Sequence, residues 1–316
     1  MRLPIDHKRA QNPLDYLRPT RHRASPRHIG ARPAVQTIRH LDHLKKFVRV
    51  LHDKGKQVAL VPTMGALHAG HMALVTQAQA IADDVIVSIF INPIQFGPNE
   101  DLGRYPRQEA EDSALLVEAG VAALWLPDVA TMYPQDFATT VSVARLGDGL
   151  CGAARPGHFD GVATVVAKLL TQVKPDIAVF GEKDWQQLAI IRRMVRDLDL
   201  GVEIAGAPIV RDGDGLALSS RNAYLSAEER SAALALPSAL QAAAAELEAG
   251  ASVGSTLEQA KSALLLAGFV SVDYVALVDA ASLEPLELLI DEARILAAAR
   301  IGTTRLIDNF PVRRKK

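Results

Sequence analysis

The sequence predicts an α/β protein, with a doubly wound parallel sheet followed by a smaller C-terminal α+β domain. Apolar strand patterns alternate with helical patterns from residue 57 to residue 210, after which alanine-rich helices precede three further strands. At 316 residues the chain also exceeds the usual size of a single core. We therefore expect one domain over residues 34–209 and a second over residues 210–316.

Repeated β-α units in one sheet give parallel strands joined by right-handed crossovers. In the first domain we expect strands over residues 57–62, 84–91, 123–127, 140–146, 177–181 and 202–210. The helices expected between them cover about 70–82, 108–119, 159–173 and 184–198. In the second domain we expect helices over 226–249 and 254–267 and strands over 272–279, 294–302 and 304–310.

The composition is that of an ordinary globular protein. Hydrophobic residues make up 49% of the chain and the formal net charge is -1, so nothing favours a nucleic-acid or membrane partner. The longest apolar runs are far shorter than the roughly 20 residues that a membrane-spanning helix needs. One cysteine, Cys151, cannot form an intrachain disulfide, and the basic start is not followed by a secretory signal pattern. We expect a cytoplasmic protein.

Residues 1–33 are rich in arginine and proline and show no apolar periodicity. Such a segment does not bury enough apolar surface to fold, so we expect a disordered basic extension. A nucleic-acid tail or a transit peptide is the alternative, although the prolines disfavour an amphipathic helix. No function is assigned to it.

Two histidines, His68 and His71, stand three residues apart in VPTMGALHAGHMALV (61–75), where an apolar strand ends and an apolar helix begins. Ligands of open parallel sheets bind beyond the carboxyl ends of strands, and helix N-termini there attract phosphates. Residues three apart share a helix face, and Gly65 and Gly70 let backbone approach a ligand. The pattern favours a nucleotide-phosphate site. A loop histidine with a helix-capping one, or a zinc-binding pair without a third ligand, is the alternative.

FGEKDWQQL (180–188) occupies the same strand-to-helix position further along the sheet. Lys183 offers a cation to a phosphate, Asp184 a helix cap, and Gln187 a side chain one turn on. A solvated cap followed by a surface glutamine is an equally good interpretation of this segment alone.

Two loops add polar groups. DGLALSSRN (214–222) offers donors that match phosphate oxygens, from Ser219, Ser220 and Arg221. FINPIQFG (90–97) places Asn92 and Gln95 among apolar residues, a lining that suits a small hydroxylated acid. A domain linker and a proline-rich turn are the respective alternatives.

Other signatures are weaker. The chain contains no P-loop, and GDGLCG (147–152) lacks the helix that a dinucleotide-binding turn requires. Cys151 and His158 could suggest a thiol nucleophile, but no third orienting group is evident in the sequence.

Together these segments resemble the pantoate-beta-alanine ligase (pantothenate synthetase) family. The resemblance spans most of residues 35–312 and rests on PTMGALHAGH, FINPIQFG, YPR, RPGHFDGVATVV, FGEKDWQQL, DGLALSSRN and ARIGTTRLIDN, in that order. It implies a Rossmann-like domain of the HIGH-type nucleotidyltransferases, with HAGH as the signature. It also implies ATP-dependent joining of D-pantoate to β-alanine through pantoyl adenylate, with Mg²⁺ on the phosphates and a homodimeric assembly.

The resemblance also implies the site residues. ATP binding is implied for Met64, Gly65, Ala66, Leu67, His68, Ala69, Gly70, His71, Gly181, Glu182, Lys183, Asp184, Val210, Leu218, Ser219, Ser220 and Arg221. The catalytic groups among these would be His68, His71, Lys183 and Arg221, with His71 as a proton donor. Substrate contacts are implied for Gln95 and Gln187 with pantoate, Gln95 also near β-alanine, beside Asn92 and Arg155. Metal ligands stay open, since Glu111 and Asp112 suit either water-mediated metal binding or a solvated helix face.

Two other functions keep the same fold. Adenylyl transfer to a phosphorylated acceptor would require a cationic acceptor pocket where this chain has Asn92 and Gln95. A non-catalytic nucleotide sensor would not need His68, His71 and Lys183 together. A tRNA synthetase is disfavoured because no basic anticodon-reading domain follows.

Overall fold

A computed structural model describes residues 35–98 and 100–314. The predicted extension over residues 1–33 lies outside these residues. The strands are β1 (Gln36–Ile38), β2 (Val58–Thr63), β3 (Asp84–Ile89), β4 (Ala123–Trp125), β5 (Ile177–Gly181), β6 (Glu203–Ala207), β7 (Ser271–Asp279), β8 (Ala293–Ile301) and β9 (Thr304–Val312). The helices are α1 (Leu41–Asp53), α2 (Ala69–Ile81), α3 (Glu109–Ala119), α4 (Val129–Met132), α5 (Cys151–Ala154), α6 (His158–Val173), α7 (Trp185–Asp197), α8 (Ala227–Ala233), α9 (Ala235–Glu248) and α10 (Val253–Leu266).

Strands β1 to β6 form one parallel sheet in the order β1-β4-β3-β2-β5-β6. From β2 the chain winds outward through β3 and β4, then returns to place β5 on the other side of β2. The winding therefore reverses between β2 and β5, which is the point where open sheets bind ligands. The doubly wound parallel sheet predicted from the sequence is confirmed.

Both faces of this sheet are covered, which explains why its strands are continuous apolar runs. Val58 and Leu60 of β2 pack in a core with α1, α6 and α7. Ala59 and Val61 point to the opposite face and pack with α2 and α3. Successive side chains of a strand alternate between faces, so one strand contributes to two cores.

The strand predicted over residues 140–146 is wrong. This segment is a loop on α6, where the Val141 amide donates to Thr164 Oγ1 at 2.9 Å. Val141 and Val143 pack against the core, so their alternation reflects packing on a helix rather than pairing in a sheet. The sheet edge beside β4 is occupied by β1, which the sequence analysis did not identify, as it did not identify α1.

The three strands predicted for the C-terminal domain, β7, β8 and β9, form an antiparallel sheet that packs against α9 and α10. The single helix expected over residues 226–249 is instead two, α8 and α9. Pro237 has no amide hydrogen, and its ring would clash with the carbonyl of Ala233, where α8 ends. The domain boundary at residue 210 stays a prediction. No helix within residues 35–98 and 100–314 has the length and apolar character to cross a membrane.

Candidate active site

A cavity of ≈ 240 Å³ opens where the winding of the sheet reverses. Its walls are segments that follow strand ends, in residues 62–71, 90–95, 180–187 and 208–221, together with one side of α6. Most of the predicted site residues meet here. Gly65, Ala66, Leu67, Ala69 and Glu182 belong to the same loops but do not line the cavity, and Arg155 lines a neighbouring one.

The two histidines both cap α2 and line the cavity. The Gly70 amide donates to His68 Nδ1 at 3.1 Å, and the His68 amide donates to His71 Nδ1 at 3.3 Å. An amide only donates, so both Nδ1 atoms lack hydrogen and each neutral ring has its proton on Nε2. Each histidine can therefore cap the helix through Nδ1 and still offer its Nε2–H group to a ligand, so the two interpretations are compatible.

Burial keeps both rings neutral at physiological pH. Burial, followed by the charges of His68 and Lys183, lowers the pKa of His71 to about 3. Burial and then the Lys183 charge also lower the pKa of His68. These histidines therefore offer neutral hydrogen-bond donors rather than imidazolium ions.

Gly70 is required by the position of the His68 ring. A Cβ at residue 70 would lie 2.8 Å from His68 Cε1 and 2.9 Å from its Nδ1. Any side chain there would displace the ring from the amide that it caps.

Asp112 of α3 fixes the loop before α2. It is buried at 2% exposure, and its two carboxylate oxygens accept from the amides of Ala66 (2.9 Å) and Leu67 (2.7 Å). Ala66 has φ +50°, a left-handed conformation that costs free energy for a residue with a side chain. Asp112 stabilises this turn, and its carboxylate is neither a solvated helix face nor open to a metal.

Lys183 follows β5 and points into the cavity. It forms no ion pair among the described residues, and burial lowers the pKa of its ammonium group. Its turn is held from the C-terminal sheet, because Asn309 Nδ2 of β9 donates to the carbonyls of Glu182 (3.0 Å) and Lys183 (2.9 Å). Arg294 of β8 pairs with Glu182 at 3.1 Å. The second domain thus positions a cation of the first.

Arg221 lies across the cavity in an ion pair with Asp101. Its Nε and Nη2 donate to the two Asp101 oxygens at 2.9 and 2.8 Å. Ser220 Oγ donates to the Ala66 carbonyl at 3.3 Å, which joins this turn to the histidine loop. The charge of the guanidinium is therefore balanced by Asp101.

A second part of the cavity wall is apolar, with neutral amides. Asn92, Gln95 and Gln187 line it beside Phe90, Val162, Val165, Val166, Leu169 and Phe180. Asn92 Nδ2 donates to Gln95 Oε1 at 3.0 Å. The wall of one cavity thus combines a donor-rich, cationic part with a neutral, apolar part.

A neighbouring cavity of ≈ 160 Å³ shares Lys183, Asp184, Gln187, Ser219 and Arg221 with the first. Arg155 lines it and forms a bidentate ion pair with Glu100, at 2.6 and 2.5 Å. Arg155 Nη1 also contacts His158 Nε2 at 2.8 Å, and His158 Nδ1 contacts the Gln95 carbonyl at 2.8 Å.

Comparison with known proteins adds to this geometry. The profile of the family described as pantoate-beta-alanine ligase matches residues 36–311, which is most of the chain. The chain belongs to this family.

Individual ligases of the family are similar over nearly their whole length. The pantothenate synthetase of Sphingopyxis alaskensis is 65% identical over 278 residues, covering 88% of this chain and 100% of that protein. Among solved structures, the pantothenate synthetase of Thermus thermophilus has a TM-score of 0.83 at 48% identity, covering 87% of this chain and 99% of its own. The pantoate-beta-alanine ligase of Francisella tularensis, complexed with beta-gamma ATP and beta-alanine, has a TM-score of 0.75 at 34% identity, covering 88% and 97%.

Several residues of this ligase family member were missed from its sequence. Asp101, His158 and Asn309 bond to residues that line the cavity, and Asp112 bonds to the adjoining turn at Ala66 and Leu67, yet none of them was predicted to do so. RPGHF and RLIDN had been noted within family motifs, which was a usable signal for His158 and Asn309. Nothing local marks Asp101, because its partner is 120 positions away.

Proposed function

We propose that this chain condenses D-pantoate with β-alanine, using ATP and releasing AMP and pyrophosphate. The observation that supports it most is the family match over residues 36–311, joined to a cavity whose wall has a donor-rich part and a neutral, apolar part. In the first step a pantoate carboxylate oxygen attacks the α-phosphorus and pyrophosphate leaves, giving pantoyl adenylate. In the second, the β-alanine amine attacks the acyl carbon, AMP leaves and the amine loses a proton.

The donor-rich part of the wall is proposed to bind ATP. His68 and His71 present Nε2–H groups beside the N-terminus of α2, where the helix dipole favours phosphate. Lys183 and Arg221 add cations where the transition state gathers negative charge, and such fixed donors contribute most to phosphoryl chemistry. Gly181, Asp184, Val210, Leu218 and Ser219 complete the proposed nucleotide wall. His71 would then act first as a hydrogen-bond donor, since its neutral ring carries only the Nε2 proton.

The apolar part of the wall is proposed to hold pantoate. Phe90, Val162 and Val165 suit its gem-dimethyl carbon, while Gln95 and Gln187 offer amides to its oxygens. No covalent enzyme nucleophile is required, because holding carboxylate and phosphorus in line lowers the barrier by itself. β-Alanine is proposed to approach beside Gln95, from the neighbouring cavity that Arg155 lines.

Mg²⁺ is proposed to accompany ATP rather than to occupy a protein cage. Within the described residues no three His, Cys, Asp or Glu side chains are grouped to hold a metal ion. Mg²⁺ commonly keeps several waters and is bound largely by substrate phosphates, where it would shield their charge. A homodimer in the cytoplasm, as the family resemblance suggests, is part of the same proposal and is testable by light scattering and cell fractionation.

Incubation with ATP, Mg²⁺, D-pantoate and β-alanine should yield AMP and pantothenate in equal amounts. Pantoate without β-alanine should support exchange of labelled pyrophosphate into ATP, because the adenylate forms first. Exchange that requires β-alanine would contradict the two-step order. Nucleotide binding without turnover would favour the sensor interpretation, and AMP transfer to a phosphorylated acceptor the adenylyltransferase one.

A further inference from the structure

The orientation of the Gln95 amide follows from its neighbours. Asn92 is 1% exposed, and its Nδ2 lies 3.1 Å from the Gly161 carbonyl oxygen and 3.0 Å from Gln95 Oε1. A carbonyl oxygen only accepts, so the Asn92 atom that faces Gly161 must be the amino group. The Gln95 atom that faces the same amino group must then be its oxygen.

Gln95 therefore presents a donor to the cavity. With Oε1 engaged by Asn92, Nε2 points the other way and lies 3.1 Å from Met64 Sδ, on the cavity wall. Thioether sulfur is a weak acceptor, which a carboxylate or hydroxyl oxygen of a ligand would readily replace.

The backbone that carries Gln95 is fixed separately, by α6. A Cβ at Gly161 would lie 2.5 Å from the Ile94 carbonyl oxygen and 2.7 Å from Gln95 Cα, so only glycine allows this approach. His158 Nδ1 contacts the Gln95 carbonyl at 2.8 Å. The backbone position is thus set by α6, while the side-chain orientation depends on Asn92.

Tyr133 contacts the remaining polar atom of Asn92. Its hydroxyl donates to Asn92 Oδ1 at 2.7 Å, and its ring packs between Phe90 and Phe137, with centroid distances of 6.1 and 5.1 Å. Tyr133 follows α4 and is not among the residues that line either cavity. Without this hydroxyl, Asn92 Oδ1 would be buried with no donor among the described residues. The free-energy cost of a buried unsatisfied oxygen would then favour other rotamers of Asn92.

We propose that Tyr133 is a positioning residue for the acid substrate. Through Asn92 it holds the Gln95 amide with its nitrogen toward the cavity, where that nitrogen donates to a pantoate oxygen. This proposal rests on the proposed function, since it assigns a determinant of substrate affinity to the same cavity.

Tyr133→Phe removes the hydroxyl and keeps the ring. The KM for pantoate should rise about three- to tenfold, the loss expected for one neutral hydrogen bond that organises another. The KM for ATP should change less than about twofold, because this chain of bonds includes none of the groups proposed to bind the phosphates, which are His68, His71, Lys183 and Arg221. KM does not depend on the fraction of folded enzyme, so a loss of stability would not imitate the result.

A double-mutant cycle distinguishes positioning from general structure. In a Gln95→Ala background, Tyr133→Phe should leave the pantoate KM unchanged, because the amide through which it acts is absent. Phe137→Leu is the matched control, since it alters the packing of Tyr133 but keeps its hydroxyl, and it should leave the pantoate KM near that of the wild type.

Two results would overturn the proposal: an unchanged pantoate KM in Tyr133→Phe, or an equal rise with and without Gln95. Absence of pantothenate synthesis by the wild-type enzyme would instead refute the proposed function.

Discussion

His158→Asn should make this protein less sensitive to acid between about pH 7 and about pH 5. The Arg155 guanidinium only donates, so His158 Nε2 accepts from Arg155 Nη1, and Nδ1–H donates to the Gln95 carbonyl. Both nitrogens of the neutral ring are thus hydrogen-bonded. Protonating Nε2 would place two cations in contact, and burial followed by the Arg155 charge lowers the pKa of His158 to about 4.

The magnitude follows from proton linkage. An unfolded histidine has a pKa near 6.5, so between that pH and about pH 4 the unfolded chain binds a proton at this residue and the folded chain does not. The stability contributed by the neutral ring is complete above about pH 6.5 and is lost progressively as the pH falls toward 4. From about pH 7 to about pH 5 the loss is about 2 kcal/mol for one such group. His71, whose pKa is about 3, should lose a similar amount over the same range.

Urea unfolding at the two pH values measures this directly. The wild type should lose about 2 kcal/mol more unfolding free energy on acidification than His158→Asn, because all other titrating groups are common to both. Asparagine can keep the bond to the Gln95 carbonyl while removing the titrating nitrogen. His43→Asn, on the exposed face of α1, is the control and should keep the wild-type pH dependence. Equal losses in the wild type and His158→Asn would refute the reasoning.

Three further predictions concern the cavity. Asp101→Asn removes the ion pair of Arg221 and should lower the KM for ATP by about fivefold, equivalent to about 1 kcal/mol, in steady-state kinetics; a raised KM would show that Asp101 positions Arg221 productively. Asp112→Asn points an amino group at a backbone amide and should lower the unfolding free energy by about 1–3 kcal/mol together with kcat/KM for ATP; an unchanged urea midpoint would contradict this. Lys183→Ala should chiefly lower kcat, by roughly 10²–10³-fold, whereas Gln187→Ala should chiefly raise the KM for pantoate. If Gln187→Ala raises the KM for ATP and leaves the KM for pantoate unchanged, the proposed placement of the two substrates is reversed.

The sequence by itself determined the parallel sheet and the sheet edge at which the candidate site lies. Alternating apolar runs and helical patterns require a covered parallel sheet, and strand-end positions place HAGH and GEKD at one edge. These are local consequences of periodicity and of chain order. The same periodicity was misleading at residues 140–146, because an extended loop on a helix shows the same alternation as a strand.

Only the tertiary structure decided which groups are engaged and which are free. Asp112 was open between metal binding and a solvated face until α3 placed it under the Ala66 turn. Arg221 pairs with Asp101, which is 120 positions away in the sequence. The carbonyl of Lys183 accepts from Asn309, which is 126 positions away. Hydrogen bonds and burial depend on distances of a few ångströms between segments remote in the chain, and neither residue type nor local spacing specifies those distances. The polarity of the Gln95 amide likewise follows from a backbone carbonyl on α6, which no side-chain motif records.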